Sequence, residues 1–243
     1  SCARAWAKGL KEGQGKITYG DGTVYQGAFH ADEREGKGKL TTPDGLTYDG
    51  DWKGGQITGT GKLTQKNGDT YEGGFQNGLR DGQGTATYAD GSTYQGGYKA
   101  DQRDGKGKFT AKDGTSYDGD WKAGHMQGQG TMTYADGSVY VGAFAADQPD
   151  GRGKITYADK STYEGDWRAG AIAGSGKATY ADGSSYAGAF IAGKPEGKGK
   201  MTYADGYSYD GDWKAGAREG QGTAIYPDGS TYVLACLLYT SPS

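Results

Sequence analysis

Aliphatic side chains and long apolar runs are scarce in this sequence. Only 33% of its 243 residues are hydrophobic, and no apolar run approaches the roughly 18 residues that a membrane-spanning helix requires. The first ten residues, SCARAWAKGL, contain no stretch typical of a secretory signal. A folded core therefore has to be thin and built from side chains other than leucine, isoleucine and valine.

Cysteine and histidine are also rare. Cys2 and Cys236 lie near opposite ends, and no Asn-x-Ser/Thr acceptor occurs, which favours an intracellular, cytoplasmic protein. His30 and His125 have no Cys/His cluster beside them, so neither a metal site nor a metal cofactor is expected. The net charge of -3 gives no bulk attraction to nucleic acid, so no nucleic-acid partner is expected.

Glycine and aromatic residues are abundant instead. The chain has 49 glycines, 20 tyrosines and 5 tryptophans, and 12% of its residues are aromatic. High glycine and low hydrophobicity would suit a disordered chain, but disordered chains are poor in aromatic residues. The composition therefore favours a folded protein with a tyrosine and tryptophan core.

An internal repeat of 23 residues organises the sequence. Tyrosines recur with this spacing at Tyr25, Tyr48, Tyr71, Tyr94, Tyr117, Tyr140, Tyr163, Tyr186, Tyr209 and Tyr232. Each of the first nine is followed by Gly at the third place and an aromatic residue at the fifth: Phe29, Trp52, Phe75, Tyr98, Trp121, Phe144, Trp167, Phe190 and Trp213. A Gly-x-Gly and usually an Asp-Gly pair come later in each unit. Such a fixed period is typical of a repeat array in which each unit packs on its neighbours.

Each unit reads as a β-hairpin. Polar and apolar residues alternate with period two on both sides of the Asp-Gly pair, which is a strong hairpin signal. A three-residue loop, Lys112-Asp113-Gly114 in the fifth hairpin, sets the pairing register. It predicts three charged pairs across the two strands: Lys108 with Asp118, Lys106 with Asp120, and Asp104 with Lys122.

The opposite face of the same hairpin carries the aromatic side chains. The register sets Phe109 against Tyr117, Gly107 against Gly119 and Gly105 against Trp121, so that the glycines leave room for the rings. No second layer is apparent in the sequence. We therefore expect an all-β, single-layer antiparallel sheet that twists over its aromatic face to form a groove.

The recurring phrase resembles a known family. The segment YDGDWKAGHMQGQGTMTYADGS, from Tyr117 to Ser138, resembles the MORN repeat, and the resemblance covers about residues 6 to 232. It implies an elongated array of antiparallel β-hairpins that acts as a scaffold and protein-binding module. It also implies self-association in some members, a location near membranes or the cytoskeleton, phosphoinositide binding, and in some members a neighbouring kinase or methyltransferase domain.

The array is expected to span residues 2–232, with units that start near residues 2, 25, 48, 71, 94, 117, 140, 163, 186 and 209. After Tyr232 the apolar segment VLACLLYTSPS departs from the repeat. We expect residues 233–243 to be a tail that the native protein lacks, arising from read-through or adapter sequence. The chain itself is expected to be a fragment of a longer protein.

Motifs that suggest chemistry are better explained by the repeat. The segment AGSGKAT, from Ala173 to Thr179, resembles part of a phosphate-binding loop but lacks the glycine spacing and the Ser/Thr after Lys177. Asp118 and Asp120 each face a lysine in the predicted register, whereas acid-base catalysis needs a site that shifts carboxylate pKa values. No enzymatic activity and no cofactor are expected.

The predicted function is a non-enzymatic scaffold that binds a protein partner, or a second copy of itself, along its aromatic face. The candidate contact residues are Tyr71, Phe75, Tyr94, Tyr98, Tyr117, Trp121, Tyr140, Phe144, Tyr163 and Trp167. Two alternatives remain open: peripheral binding to phosphoinositide membranes through the lysine face, and a role as targeting arm of a larger enzyme such as a phosphatidylinositol phosphate kinase. The expected location is cytoplasmic, with peripheral membrane or cytoskeletal association as alternatives.

Overall fold

The computed structural model describes residues 6–7 and 9–236, and every regular element in this part of the chain is a β-strand. The all-β prediction is confirmed. Cys2, the predicted start of the array and residues 237–243 lie outside the described residues. In the described part, no helix is long and apolar enough to cross a membrane. The chain divides into two compact units, Ser1–His125 and Met126–Ser243.

The first unit contains a short two-stranded ribbon and one antiparallel sheet. The ribbon pairs β1 with β2, and in the sheet each strand from β3 to β12 pairs with its neighbours in sequence. The strands are β1 (Trp6–Ala7), β2 (Leu10–Lys11), β3 (Gly13–Thr18), β4 (Val24–His30), β5 (Glu33–Thr41), β6 (Thr47–Lys53), β7 (Gln56–Thr64), β8 (Thr70–Gln76), β9 (Leu79–Thr87), β10 (Thr93–Lys99), β11 (Gln102–Thr110) and β12 (Ser116–Lys122).

The second unit repeats the same pattern from β13 to β22. Its last strand includes residues 233–236, which sequence analysis assigned to the tail. The strands are β13 (His125–Thr133), β14 (Val139–Ala145), β15 (Gln148–Thr156), β16 (Thr162–Arg168), β17 (Ala171–Thr179), β18 (Ser185–Ile191), β19 (Lys194–Thr202), β20 (Ser208–Lys214), β21 (Ala217–Ile225) and β22 (Thr231–Cys236).

Two kinds of turn join the strands, and both place residues in the left-handed region. The predicted three-residue loop is confirmed: the N–H of Ala111 donates to the carbonyl of Thr115 at 2.7 Å, and Gly114 has φ +88°. The other turn has two residues, such as Ala100 and Asp101, with φ of 46° and 68°. Positive φ at both positions is the geometry that matches the twist of paired strands.

The predicted register is confirmed on both faces of the β11–β12 hairpin. Lys106 lies opposite Asp120 and Lys108 opposite Asp118, and on the other face Phe109 lies opposite Tyr117. Because side chains alternate between the faces of a strand, this register sends every aromatic residue of the repeat to one side. The single-layer hairpin array with an aromatic cluster is therefore confirmed within each unit.

The outermost charged pair differs from the expectation. The Asp104 carboxylate accepts a hydrogen bond from the backbone N–H of Ala123 at 3.3 Å. The equivalent acids do the same in other units: Glu35 with Gly54, Asp81 with Ala100, Asp150 with Ala169, and Glu196 with Ala215. The turn fixes this N–H in place, whereas an exposed lysine ammonium is well solvated and gains little from pairing.

The role of Gly105 also differs from the expectation. A side chain at this position would meet nothing within 4 Å, and its φ is +85°. The register of β10 and β11 shifts here, between the Gly96–Gly107 and Tyr98–Arg103 pairs. Glycine is needed at position 105 because a β-bulge requires this backbone conformation, and not because Trp121 needs space.

Candidate partner-binding surface

The ten aromatic residues predicted to contact a partner form the buried layer of the sheets. Their exposed fractions range from 0% to 8%, although a single-layer sheet was expected to leave ring edges uncovered. These residues are Tyr71, Phe75, Tyr94, Tyr98, Tyr117, Trp121, Tyr140, Phe144, Tyr163 and Trp167. Rings so deeply buried offer almost no area to another molecule. Their contact with a partner stays a prediction, and most of the accessible surface on this face belongs to the residues around them.

Edge-to-face contacts explain this burial. Tyr48, for example, lies between Trp52 of its own repeat and Phe75 of the next, with ring centroids 5.4 Å and 5.2 Å away. Similar contacts form one ladder from Tyr25 to Trp121 in the first unit. The second unit has a ladder from Tyr140 to Trp213. Each such pair is worth about 0.5–1.5 kcal/mol beyond area burial.

The buried tyrosine hydroxyls are fixed hydrogen-bond donors. Tyr94 donates to the carbonyl of Gly97 at 3.0 Å, and Tyr48 and Tyr140 donate to the residue three places later in the same way. Burial raises the pKa of Tyr94 to about 12, although the nearby guanidinium of Arg103 lowers it in part. The hydroxyls therefore stay protonated near neutral pH and serve the fold.

Tyr98 is the exception among them. Its hydroxyl is buried and makes no hydrogen bond of normal geometry, although burial and the neighbouring Tyr88 side chain both raise its pKa. The residue stands at the ladder position that is Phe or Trp in the other repeats, where no hydroxyl has to be accommodated. The unpaired hydroxyl is a local cost to stability.

Arginine side chains cross the aromatic face of the first unit. The guanidinium carbon of Arg103 lies 4.8 Å from the ring centroids of both Tyr94 and Trp121, and Nη2 donates to the Tyr88 hydroxyl at 3.0 Å. Arg34 lies 4.2 Å from the Trp52 ring centroid, and Arg80 lies 5.1 Å from that of Tyr98. Cation–π contacts thus cover the ladder of the first unit with charge.

The second unit is apolar at the equivalent positions. Pro149, Ile172 and Pro195 lie opposite the ladder residues Phe144, Trp167 and Phe190. An arginine returns near the C-terminal end of this unit, where Arg218 donates to the hydroxyls of Tyr207 and Tyr203 at 2.9 Å each.

A second row of tyrosines borders the ladder of the second unit on its turn side. We call these five residues the tyrosine row: Tyr134, Tyr157, Tyr180, Tyr203 and Tyr226. The exposed fractions of Tyr157, Tyr180 and Tyr226 are 36%, 38% and 45%, and the other two are half-buried. Arg218 lies over the rings of both Tyr203 and the ladder residue Tyr209, at 5.7 Å and 4.9 Å. The row therefore supplies accessible aromatic surface on the aromatic side.

Sequence reasoning missed the tyrosine row. The signal was present, because each of these tyrosines precedes the turn aspartate by two residues and recurs every 23 residues. In the first unit the equivalent positions are Tyr19, Thr42, Gln65, Tyr88 and Ala111. The row is thus continuous in the second unit and interrupted in the first.

An aspartate follows each member of the tyrosine row at the tip of its turn: Asp136, Asp159, Asp182, Asp205 and Asp228. Asp182 accepts hydrogen bonds from the N–H and the hydroxyl of Ser184 at 2.9 Å and 2.6 Å. These bonds lower the pKa of Asp182, and bonds from the equivalent serines lower those of Asp159 and Asp228. With Lys160 as the one cation in the five loops, the turn tips form an acidic edge beside the tyrosine row.

Opposite charges meet on the other face of the sheets. The middle pair of the predicted register forms ion pairs of 2.6–3.6 Å: Lys37 with Asp51 at 2.7 Å, Lys106 with Asp120 at 2.6 Å, Arg152 with Asp166 at 3.6 Å, and Lys198 with Asp212 at 2.6 Å. Of the inner pairs, Lys154 and Glu164 approach to 3.9 Å. This face neutralises much of its own charge.

The middle aspartates also bond to the following strand. The Oδ2 atom of Asp51 accepts from the N–H of Thr60 at 2.9 Å, and Asp166 and Asp212 accept equivalent bonds from Ser175 and Gln221. Lys37, followed by the Thr60 N–H, lowers the pKa of Asp51. One carboxylate thus joins three strands in the repeats where Trp follows it.

Features that suggested chemistry occupy structural positions. Residues 173–179 of the AGSGKAT segment lie within strand β17, whereas a phosphate-binding loop leads from a strand into a helix. His30 lies 3.3 Å from Glu12, which also accepts from the N–H of Ala31. Among residues 6–7 and 9–236, no three His, Cys, Asp or Glu side chains are grouped to hold a metal ion.

The family model of the MORN repeat matches most of the chain. It matches residues 5–24, 25–47, 48–70, 71–93, 94–116, 117–139, 140–162, 163–185, 186–206 and 209–231. No significantly similar sequence was found among curated proteins.

Several solved structures are distantly similar. The TCP10 domain of Danio rerio CPAP, in complex with a peptide of Danio rerio STIL, is 14% identical over 91% of this chain and 93% of its own, with a TM-score of 0.49. The G-box domain of the microcephaly protein CPAP is 15% identical over 83% of this chain and 100% of its own, with a TM-score of 0.45. Similarity at this level carries no functional conclusion.

Proposed function

Because this chain belongs to the MORN-repeat family, we propose that it is a non-enzymatic scaffold that binds a protein partner on the aromatic side of its sheet. The carrying observation is the tyrosine row, which offers half-exposed rings beside a fully buried ladder. Aromatic residues are enriched at protein interfaces because a ring buries a large area with few rotatable bonds. A sheet with fixed register also holds such residues at fixed spacing.

The charged face of the sheet favours binding to a phosphoinositide membrane less than the aromatic side favours binding to a protein. A cation near an anionic surface contributes about 1 kcal/mol only when its charge is free. Lys37, Lys106 and Lys198 each lie within 2.7 Å of a carboxylate oxygen, so their charge is largely compensated. Membrane binding, homodimer formation and a role as targeting arm of a larger enzyme remain alternatives. We place the protein in the cytoplasm, where its partner would determine any membrane or cytoskeletal association.

Three measurements on the purified chain test this proposal and its alternatives. In the first, proteins captured on the immobilised chain are identified, purified and mixed with the purified chain. Calorimetry then measures the affinity of each pair, and a dissociation constant in the micromolar range or tighter is expected. The second measurement is sedimentation with vesicles with and without phosphoinositides. Strong, salt-sensitive vesicle binding that is lost when the lysines are neutralised, with no partner reconstituted, would overturn the proposal. Light scattering over a concentration series tests self-association.

A further inference from the structure

The tyrosine row has a regular spacing set by the sheet. Each member directly follows β13, β15, β17, β19 or β21, so two strand spacings separate neighbouring tyrosines, or about 9.4–9.8 Å. The backbone around each is the same: its N–H donates to the carbonyl four residues later at 2.8–2.9 Å. Five aromatic rings therefore recur along a line that runs across the strands.

One backbone conformation matches this spacing. A polyproline II helix repeats every three residues, at about 9.3 Å, so the mismatch with the row accumulates to only about 0.4–2 Å over its four intervals. Two turns of α-helix span about 10.8 Å, which accumulates a mismatch of about 5 Å over the same distance. An extended strand fits less well, because residues three apart point to opposite sides.

We propose that the tyrosine row binds a proline-rich segment of a partner protein in the polyproline II conformation, with a proline at every third residue. This inference rests on the proposed function and narrows the class of partner. Tyr134, Tyr157 and Tyr180 each offer a ring to a proline and a hydroxyl donor to the peptide backbone. At the C-terminal end of the row, Tyr207 lies between the rings of Tyr203 and Tyr226, 5.5 Å and 5.4 Å from their centroids, and adds a further ring to the surface. The carbonyls of a polyproline II helix have no internal partner and are free to accept from these hydroxyls, as in other aromatic-lined sites for such peptides.

The acidic edge predicts which charge the bound proline-rich segment carries. Five turn aspartates run parallel to the tyrosine row, and Lys160 is the one cation in these loops. Hydrogen bonds that lower the pKa of Asp159, Asp182 and Asp228 help to keep them charged. Opposite charge would steer a basic peptide to this edge. The partner segment therefore carries arginine or lysine beside its prolines.

The occupant is a segment that residues 1–243 do not contain, so a second copy of these residues does not supply it. The five prolines, at positions 43, 149, 195, 227 and 242, are never within three residues of one another. No segment of this sequence can therefore supply the triplet repeat. In the first unit, Thr42, Gln65 and Ala111 interrupt the equivalent row, so the binding surface is confined to the second.

The test is a titration of the full chain with a synthetic, fluorescently labelled peptide of five Pro-x-x triplets that carries two arginines. A peptide of the same composition with prolines at every fourth position is the spacing control, and one with glutamate for arginine is the charge control. We expect micromolar binding of the triplet peptide and at least tenfold weaker binding of each control peptide.

The chain supplies its own matched variants. Tyr157→Thr with Tyr180→Gln reproduces what the first unit carries at Thr42 and Gln65, so folding should be kept, as circular dichroism would check. This double variant should weaken binding at least tenfold, whereas Tyr19→Thr in the first unit should leave it unchanged. Tyr157→Phe keeps the ring but loses the hydroxyl, so its affinity for the triplet peptide should lie between those of the double variant and of Tyr19→Thr.

Three results would overturn the inference: no binding of the triplet peptide, equal binding of the spacing control, or binding that survives the double variant. Each is distinguishable from failure of the proposed function. If a reconstituted partner binds the double variant as well as it binds the unmodified chain, the scaffold function stands and the proline-rich site does not. If no partner complex can be reconstituted and the triplet peptide still binds, the proline-rich site is supported and the scaffold function is not.

Discussion

The Tyr94 ring lies against the backbone of Gly107, so that a side chain on Gly107 would begin where the hydroxyl and the outer ring carbons of Tyr94 already are. The carbonyl of the same glycine accepts from the indole Nε1 of Trp121 at 2.9 Å. One residue without a side chain thus holds an aromatic ring from the strand before it and one from the strand after it. This relationship recurs along the ladder and explains why the second glycine of the Gly-x-Gly is required, whereas the first is required by its positive φ.

Gly107→Ala should destabilise the protein by about 1–3 kcal/mol, because overpacking forces the Tyr94 ring or the strand to move. In a chain that also carries Tyr94→Leu, Gly107→Ala should cost much less, since Tyr94→Leu deletes the atoms that clash with the new side chain. Gly105→Ala is the control: its cost of about 1–2 kcal/mol arises from a positive φ and should be independent of residue 94. Urea unfolding of the single and double variants measures this coupling, and additive effects at positions 94 and 107 would contradict the packing.

Tyr98→Phe and Tyr94→Phe should have opposite effects on stability. Tyr98 loses a buried hydroxyl that makes no hydrogen bond of normal geometry, to Tyr88 or to any other described residue, so its removal should be neutral or stabilise the fold by up to about 1 kcal/mol. Tyr94 loses its hydrogen bond to the Gly97 carbonyl, which should cost about 1 kcal/mol. Thermal unfolding of the two variants side by side is the measurement. A destabilised Tyr98→Phe variant would mean that this hydroxyl is bonded in solution.

Stability should fall steeply between pH 10 and pH 12. Burial raises the pKa of Tyr48, Tyr71 and Tyr140 to about 12, whereas an unfolded tyrosine ionises near pH 10. The folded state therefore holds protons that the unfolded state releases, so this stabilising contribution is complete below pH 10 and is lost as pH rises to 12. Each such tyrosine lowers the free energy of unfolding by about 1.4 kcal/mol per pH unit in this window.

Urea titrations at half-unit steps from pH 8 to pH 12, with tyrosinate absorbance followed in parallel, measure this loss. The buried tyrosines should ionise together with unfolding. Ionisation of all tyrosines near pH 10 while the sheet remains folded would contradict their burial.

Asp51→Ala should cost more than Lys37→Ala although the two residues form one ion pair. Asp51 also accepts from the N–H and the hydroxyl of Thr60 at 2.9 Å and 3.0 Å, so its loss leaves a backbone donor unpaired and should cost about 1–2 kcal/mol. The exposed ammonium of Lys37 should account for less than about 1 kcal/mol. Chemical denaturation with Asp49→Ala as the exposed control measures the difference. Equal costs for the two partners would mean that the carboxylate does not join three strands.

Much of the fold follows from the sequence alone. The 23-residue period, the alternation of side chains and the Asp-Gly loops predict the hairpins and the register, because each is a local property of the chain. The pairing of Lys106 with Asp120 is confirmed on that basis. The proposed binding surface could be predicted only in part. The 23-residue spacing of the tyrosine row is visible in the sequence, but the exposure of these tyrosines depends on how neighbouring hairpins pack.

Sequence by itself determined that this protein is an array of hairpins with all of its ladder aromatics on one side. Tertiary structure alone decided that a single layer could bury those rings almost completely. Tyrosines of the ladder such as Tyr48 are covered by the edge of a ring from the next repeat and lie against glycines 13 residues further along, and such contacts exist only after the strands are paired. With the ladder closed in this way, the surface left to a partner is the row beside it.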